Sequence, residues 1–322
     1  YHREDFRRVL AGEIGDIGFP PRSLEYYTAA LIDSVDLSEA RRAGLKLVLD
    51  YSFGTASFVM PNLLSKLEAE VLVVNPYATT ANVLAFDRMA SAQRVAELVV
   101  ASGAHLGAVL DPGGEYVTVV DDRGRTLSNE EALMALLTLV CEAKPGGRVA
   151  LPVAVSRAAE EICHRSDTKI TWTKLSTSHL MEVARSEEVD LAASQSGGFI
   201  FPRFLPAFDG AATLVNLLSL LTCSGRRLSD LVDTLPAVHV AHHSVHTPWE
   251  LKGTVMRTLV ERSRGRELVL VDGVKILEPD GWALVLPDPE EPLTHIWAEA
   301  PDAARAEARA QDYVVRLEQL AR

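Results

Sequence analysis

Ala104-His105-Leu106-Gly107-Ala108-Val109-Leu110-Asp111-Pro112-Gly113-Gly114-Glu115-Tyr116 passes from a strand pattern to a turn within one short stretch. Leu106 to Leu110 is an unbroken apolar run of strand length, as expected of a strand covered on both faces. Asp111-Pro112-Gly113-Gly114 stops it, and Val117 to Val120 resumes as a second strand before the turn Asp121-Asp122-Arg123-Gly124. Upstream the same rhythm holds. Leu45 to Leu49 reads as a strand, Ser52 to Ala56 as a turn, and Leu63, Leu64 and Leu67 mark a helix. Val71 to Val74 is another strand and Ala92 to Ala101 a helix. Alternation of this kind predicts right-handed crossovers and a largely parallel sheet.

The pattern then repeats. Ser128 with Glu131 three residues later predicts a capping box for a helix over Asn129 to Cys141. Strands are expected at Arg148 to Leu151, Lys169 to Trp172 and Leu191 to Ala193, and helices at Ser156 to His164, Ser178 to Ala184, Asp209 to Thr222 and Leu228 to Leu235. Beyond Pro236 the rhythm changes. A helix over Trp249 to Arg262 is followed by strands at 267–271, 274–277 and 282–286, joined at Asp272-Gly273 and Asp280-Gly281, which are hairpin signals. A strand over His295 to Ala298 and a helix over Ala303 to Leu320 complete an antiparallel α+β unit. The expected organisation is an entry segment over 1–21, in which Phe19-Pro20-Pro21 breaks regular structure, two mixed-sheet α/β units over 22–124 and 125–236, and a smaller antiparallel α+β unit over 237–322. Ser23 is the expected N-cap of a first helix carrying Leu24, Tyr27 and Leu31.

Composition bounds the function. The 322 residues carry a formal net charge of −12, which argues against nucleic acid and anionic membrane surfaces as partners. No apolar run reaches the roughly 18 residues of a membrane span, and the first residues lack a secretory h-region, so a cytoplasmic protein is expected. Cys141, Cys163 and Cys223, odd in number and far apart, are expected to be reduced and buried. The chain starts at Tyr1 rather than Met, which suggests a piece of a longer polypeptide.

The run 104–116, with Val117 to Asp121 and Gly124, resembles the metal-loop region of the α-D-phosphohexomutases, the phosphomannomutase/phosphoglucomutase family. Gln195-Ser196-Gly197-Gly198-Phe199-Ile200-Phe201, with Asp209-Gly210, is similar to that family's sugar-recognition loop. Asp272 to Lys275, Gly281-Trp282, Pro287, Glu291-Pro292 and Ala298 to Ala300 resemble its last domain. The resemblance implies domains II to IV of such a mutase, with the phosphorylated serine on a first domain that has no counterpart after Tyr1. Thr247 to Arg257 and Pro287 to Pro292 also look like the C-terminal region of bacterial mannose-1-phosphate guanylyltransferase chimeras. That likeness implies nucleotidyltransferase and β-helix domains upstream as partners, and homo-oligomers formed through the full-length protein.

Departures from the family pattern shape the functional expectation. In the metal loop Asp111 and Glu115 keep their carboxylates, while Gly113 and Tyr116 replace an aspartate and an arginine, so a vestigial site is expected to be empty. The phosphate loop is Leu286-Pro287-Asp288-Pro289-Glu290-Glu291-Pro292, and its acidic Asp288, Glu290 and Glu291 only accept hydrogen bonds at neutral pH. Like charges about 4 Å apart repel by roughly 1 kcal/mol in bulk water, so a phosphate dianion should avoid it. An acidic run is otherwise a solvated turn. Substrate contacts are expected from Ser194, Gln195, Ser196 and Gly197, with no catalytic residue in the chain and no cofactor. The expected function is a non-catalytic region of a GDP-mannose biosynthesis protein that binds a hexose phosphate or nucleotide sugar, senses its supply or organises assembly. The alternative is an active hexose-phosphate mutase, using Mg²⁺, whose serine-bearing domain lies outside this sequence. His239, His242, His243 and His246 have metal-like spacing, but the interleaved valines favour a strand with His242 and His246 on one face. Ser52, Thr55 and Ser57 flank Gly54 at a strand end, where α/β proteins bind ligands, although a tight βα turn is the more ordinary reading of them.

Overall fold

The computed structural model describes residues 9–320. Of the expected entry segment, residues 1–8 lie outside the described residues, and the remainder holds one short 3-10 turn, Ala11–Glu13. The first unit runs α1 (Ser23–Ser34), α2 (Ser38–Arg42), β1 (Lys46–Asp50), α3 (Ala56–Leu67), β2 (Glu70–Val74), α4 (Thr80–Val83), α5 (Arg88–Ser102), β3 (Leu106–Leu110), β4 (Val117–Val120). The second runs α6 (Asn129–Ala143), β5 (Arg148–Pro152), α7 (Ala158–Arg165), β6 (Lys169–Thr173), α8 (Thr177–Ser186), β7 (Leu191–Ala193), β8 (Phe199–Ile200), α9 (Gly210–Ser224), α10 (Leu228–Val232). The third runs β9 (Val240–His246), α11 (Trp249–Arg262), β10 (Leu268–Val269), β11 (Val274–Glu278), β12 (Gly281–Pro287), β13 (Leu293–Glu299), α12 (Ala303–Leu320).

The first two sheets have the same topology, β2-β1-β3-β4 and β6-β5-β7-β8. In each, three strands are parallel and the last is an antiparallel edge. The third sheet, β10-β11-β12-β13-β9, is antiparallel throughout. The architecture is therefore two mixed-sheet α/β units followed by an antiparallel α+β unit.

Several local expectations are corrected. Ser23 lies inside α1, and the capping position is Arg22 in a left-handed conformation, φ 61°. Register pairs Glu278 with Gly281, so the hairpin loop is Pro279-Asp280 and Gly281 already belongs to β12. The helix expected to reach Leu235 ends at Val232, and the strand expected over 267–271 pairs only at Leu268–Val269. Cys141 and Cys163 are buried with sulfurs 3.9 Å apart, but Cys223 is exposed. The capping box forms as expected: Ser128 N–H donates to Glu131 Oε2 at 2.8 Å and Glu131 N–H to Ser128 Oγ at 3.2 Å.

One apolar core spans the first two units. Leu47 and Leu49 of β1, Leu133 and Leu137 of α6, and Leu214 and Leu218 of α9 belong to it, all buried. The third unit has its own core between its sheet and α11 and α12. It is fastened to the second unit by the turns that follow β5 and β6. The Ser156 hydroxyl donates to Glu299, whose second oxygen accepts Arg157 N–H at 3.0 Å. Asp272 accepts Leu175 N–H at 2.9 Å. Lys275, 4% exposed, donates to the Val153 carbonyl at 2.7 Å and lies 4.3 Å from the Trp282 ring centroid. Burial lowers the Lys275 pKa to about 8, against partial support from Glu160 and Glu299. Among the described residues no helix is long and apolar enough to cross a membrane.

The seam between α5 and β3 has no spare volume. A β-carbon on Gly107 would stand 2.6 Å from Val95 Cγ1 and 2.7 Å from Val99 Cγ2. Gly107→Ala should therefore cost about 1–3 kcal/mol through overpacking. Urea unfolding of wild type and variant measures this directly, and equal stability would show that α5 lifts off the sheet at little cost.

Candidate functional site

The strand ends of the first two sheets meet around the turn between β3 and β4. Asp111 builds that turn. Its Oδ1 accepts Tyr116 N–H at 2.7 Å, its Oδ2 accepts Gly113 N–H at 3.2 Å, and its carbonyl accepts Gly114 N–H at 3.0 Å. Gly114 supplies the positive φ of 79° that the turn needs. From the turn after β1, Thr55 Oγ1 donates to the Gly113 carbonyl at 2.9 Å and Thr55 N–H to the Pro112 carbonyl at 3.1 Å. Gly54 lies so close to this loop that a β-carbon would meet Pro112 O at 2.4 Å. The Ser52-to-Ser57 turn is thus a bracket for the β3–β4 loop. Ser57 closes its own turn on the Gly54 carbonyl at 2.8 Å, and the buried Ser52 hydroxyl has no partner among the described residues.

The number of carboxylates at this loop bears on a metal. A hard dication takes about six oxygen ligands. The loop offers two carboxylates, Asp111, whose oxygens each accept one backbone N–H, and the exposed Glu115, which makes no hydrogen bond with it. Among the described residues no group of three His, Cys, Asp or Glu could hold an ion, the histidines of β9 included. The donor set does not fit a resident magnesium ion.

Tyr116 carries the β3–β4 loop into the second unit. Its ring packs against Phe208 with centroids 5.6 Å apart, and Arg88 sits 5.9 Å from its centroid. A β-carbon on Gly198 would clash with Phe208 at 2.7 Å and meet Tyr116 Cε1 at 3.0 Å. Gly210 N–H donates to the Gly114 carbonyl at 2.8 Å, joining the N-terminus of α9 to the same loop. Asp209 caps α9 through Ala212 N–H at 2.8 Å and accepts the Tyr27 hydroxyl at 2.7 Å. Burial raises the Asp209 pKa despite those donors, and the Tyr27 hydroxyl is pushed far above its usual range by burial and by Asp209.

The Ser194–Gly198 loop is a tight turn between β7 and β8. Ser194 N–H donates to the Gly198 carbonyl at 2.8 Å, and the Ser194 and Ser196 hydroxyls share a hydrogen bond of 2.7 Å. Gly197, φ 92°, rests against Asn129 at the start of α6. Gln195 leaves the turn and lines a cavity of about 240 Å³ between the second and third units, together with Glu130, Ser156, His242 and Trp297.

The third unit brings an aspartate–histidine–histidine chain to that cavity. His242 of β9 lies opposite Trp297 of β13 in register, and their rings stack at 4.6 Å and 13°. His242 Nε2 lies 3.2 Å from His295 Nδ1, and His295 Nε2 lies 2.9 Å from Asp288 Oδ2. The other oxygen of Asp288 accepts Glu290 and Glu291 N–H, each at 2.7 Å. Lys252 donates to the Asp288 carbonyl at 2.6 Å and to the Glu291 carbonyl. The loop 286–292 is therefore not the bare anionic surface expected from its residues. Asp288 turns inward and closes it, with a lysine at its back and a histidine at its side, while Glu290 and Glu291 stay exposed. The sequence reading passed over Asn129, Glu130, Lys252, His295 and Trp297. Each lies in a stretch named from the sequence, but its role depends on long-range packing that the stretch alone does not show.

Residues 25–124 match alpha/beta/alpha domain II of the phosphoglucomutase/phosphomannomutase description, and residues 129–239 match its domain III. A phosphoglucomutase/phosphomannomutase of Thermococcus kodakarensis is 26% identical over 98% of this chain and 68% of its own length. A probable phosphoglucosamine mutase of Methanopyrus kandleri is 28% identical over 94% of this chain and 67% of its own. The crystal structure of a phosphoglucomutase/phosphomannomutase family protein from Burkholderia thailandensis has the same fold, with TM-score 0.77, 22% identity, and coverage of 92% of this chain and 64% of that one. An Aspergillus fumigatus N-acetylphosphoglucosamine mutase, solved with GlcNAc-6P and magnesium, aligns at TM-score 0.63 and 13% identity. The chain spans about two thirds of such relatives. They are named as mutases in their own right, which overturns the expectation of a non-catalytic region of a GDP-mannose biosynthesis fusion.

Asp288 offers a direct check of the loop geometry. The His295 hydrogen bond, followed by the Glu290 and Glu291 N–H groups, lowers its pKa to about 2. A depressed carboxylate supports the fold above its unfolded pKa of about 4 and loses that support as pH falls toward 2. His295→Ala should move the Asp288 titration upward toward about 4, stopping short because the two N–H groups remain. Carboxyl-carbon NMR reads this shift, and an unmoved midpoint would mean that His295 does not face Asp288.

Proposed function

This chain carries domains II and III of the phosphoglucomutase/phosphomannomutase family, and from that premise we propose that it serves 1,6 phosphoryl transfer on hexose phosphates. The observation that carries the proposal is the junction at Tyr116. It unites the β3–β4 loop, the Ser194–Gly198 turn and the N-terminus of α9 at the C-terminal ends of two parallel-strand sets. Open α/β sheets bind ligands at such strand ends. The names of the relatives, which mention glucose, mannose and glucosamine phosphates in mutase activities, favour this substrate class.

In this proposal the chain binds and orients the hexose phosphate, and a serine-bearing domain outside this sequence provides the phosphoryl donor. Phosphoryl transfer depends on positioning and charge stabilisation more than on covalent chemistry by the protein. Ser194, Gln195, Ser196 and Gly197 form the sugar-facing turn. The rigid β3–β4 loop fixes that turn through Tyr116, so a sugar ring seated there holds one orientation toward the donor. Lys252 and the Asp288–His295 pair order the loop 286–292 of the third unit. No step is assigned to a metal, because the β3–β4 loop offers only Asp111 and Glu115 as carboxylates. Units over 22–124, 125–236 and 237–322 fit this division of labour.

The test joins this chain in cis to a serine-bearing first domain and follows conversion of glucose 1-phosphate to glucose 6-phosphate with a coupled dehydrogenase. Turnover is expected only with that domain present, and Gln195→Ala with Ser194→Ala should lower kcat/KM by roughly 10–100-fold through lost positioning. A folded fusion without turnover, or one indifferent to the double substitution, would contradict the proposal.

A further inference from the structure

Two thiols face each other between α6 and α7, and the proposed mutase reaction uses neither. Cys141 stands in the last turn of α6 and Cys163 in the last turn of α7. Their sulfurs lie 3.9 Å apart, and each residue is 1% exposed. The backbone holds them there. The Cys163 carbonyl accepts Ser166 N–H at 3.1 Å and Thr168 N–H at 2.9 Å. Gly146 N–H, in the turn after α6, donates to the Ser166 carbonyl at 2.8 Å. The turns that end the two helices are thereby tied to each other. Among the described residues no third His, Cys, Asp or Glu joins the pair to hold a metal ion. The remaining cysteine, Cys223, is exposed on α9.

We propose that Cys141 and Cys163 form a reversible dithiol–disulfide site, closed by a peroxide and reopened by a dithiol reductant, that staples α6 to α7. Closure brings the sulfurs from 3.9 Å to the roughly 2.05 Å of a disulfide. Buried thiols are ordinarily inert, because oxidants attack thiolates they can reach. This pair sits at two helix ends, which open more readily than helix interiors. Residues 142–146, directly after Cys141, are all exposed, so a small peroxide enters when that turn opens.

The two sulfurs have distinct roles. The Cys163 S–H donates to the Cys141 sulfur, which lowers the Cys141 pKa against burial, Glu142 and Asp190. The same hydrogen bond, with burial, pushes the Cys163 thiol far up. Cys141 is therefore the attacking thiolate and Cys163 the resolving thiol. Cys141 attacks one peroxide oxygen and the O–O bond breaks, giving a sulfenic acid and hydroxide, which leaves as water with the proton that Cys141 gave up. The Cys163 sulfur then attacks the sulfenic sulfur. The S–S bond forms, the S–O bond breaks, and the departing hydroxide takes the Cys163 proton as a second water. Two thiols are oxidised to one disulfide and one peroxide is reduced to two waters.

The bond joins residues separated by 22 positions, which narrows the unfolded ensemble. It also links two supports. The first residue of α6, Asn129, rests against Gly197, and α7 follows Ser156 and Arg157, the partners of Glu299. The staple thus connects a support of the Ser194–Gly198 turn to the fastening of the third unit.

Cys223→Ser removes the exposed thiol, so that the pair reports alone. The folded, reduced variant is treated with hydrogen peroxide, denatured and alkylated with N-ethylmaleimide. The expected product takes up no maleimide and weighs about 2 Da less than the reduced chain, through loss of two hydrogens. A digest should show the Cys141 and Cys163 peptides linked, and dithiothreitol should restore both maleimide sites. With Cys163→Ala added, dimedone should trap a sulfenic acid at Cys141. The oxidised chain should also unfold at a higher urea concentration than the reduced one. Two maleimides after peroxide, added oxygen in place of the mass loss, a bond only between chains, or a lower urea midpoint on oxidation would each overturn the inference.

Discussion

Asp111 spends both carboxylate oxygens on the backbone of its own loop, and the position of Tyr116 follows from that. With the loop closed, Tyr116 points into the second unit and packs on Phe208 beside Gly198. Small residues make this approach feasible. Gly54, Gly198 and Gly210 each stand where a β-carbon would collide with the opposing loop. The same carboxylate thus organises the junction through one hydrogen bond on each oxygen.

A second constraint holds the third unit in place. Glu299 and Lys275 are both buried at the interface, and each is satisfied by a group on the turn after β5. Removing one partner of such an arrangement leaves a buried charge unmet, which is far more costly than an exposed ion pair is valuable. The interface therefore fixes where the face of β9 and β13 lies relative to the Ser194–Gly198 turn. That placement is what brings Gln195, Glu130 and His242 to one cavity.

The sequence made the buried strands legible because Leu106 to Leu110 and Val117 to Val120 are continuous apolar runs bounded by turn residues, and they appear at those limits. The capping box at Ser128 and Glu131 was equally readable, since both bonds are local. Short elements were not readable: β8 is two residues inside a glycine-rich loop, and α2 and α4 are one turn each. Strand parity placed His242 and His246 on one face, but only long-range pairing sets His242 opposite Trp297 and near His295. The acidic loop misled for a related reason. Residue type alone reports charge and says nothing of direction, and Asp288 points into its own turn rather than at a ligand. In the metal loop the sequence showed which carboxylates are present, but not that Asp111 also accepts the Gly113 and Tyr116 N–H groups, since those bonds depend on how the turn closes.

The central proposal is that the Ser194–Gly198 turn, packed on Tyr116 through Gly198, and the cavity lined by Gln195 and His242 act as one sugar-phosphate site spanning the second and third units. Backbone amide NMR of the isotopically labelled chain, titrated with a hexose 6-phosphate, tests it most directly. The account predicts that Ser194 to Gly198, the Gln195 side-chain amide and His242 shift together with a single dissociation constant. Shifts confined to one unit, or separate constants for the turn and the histidine, would contradict it.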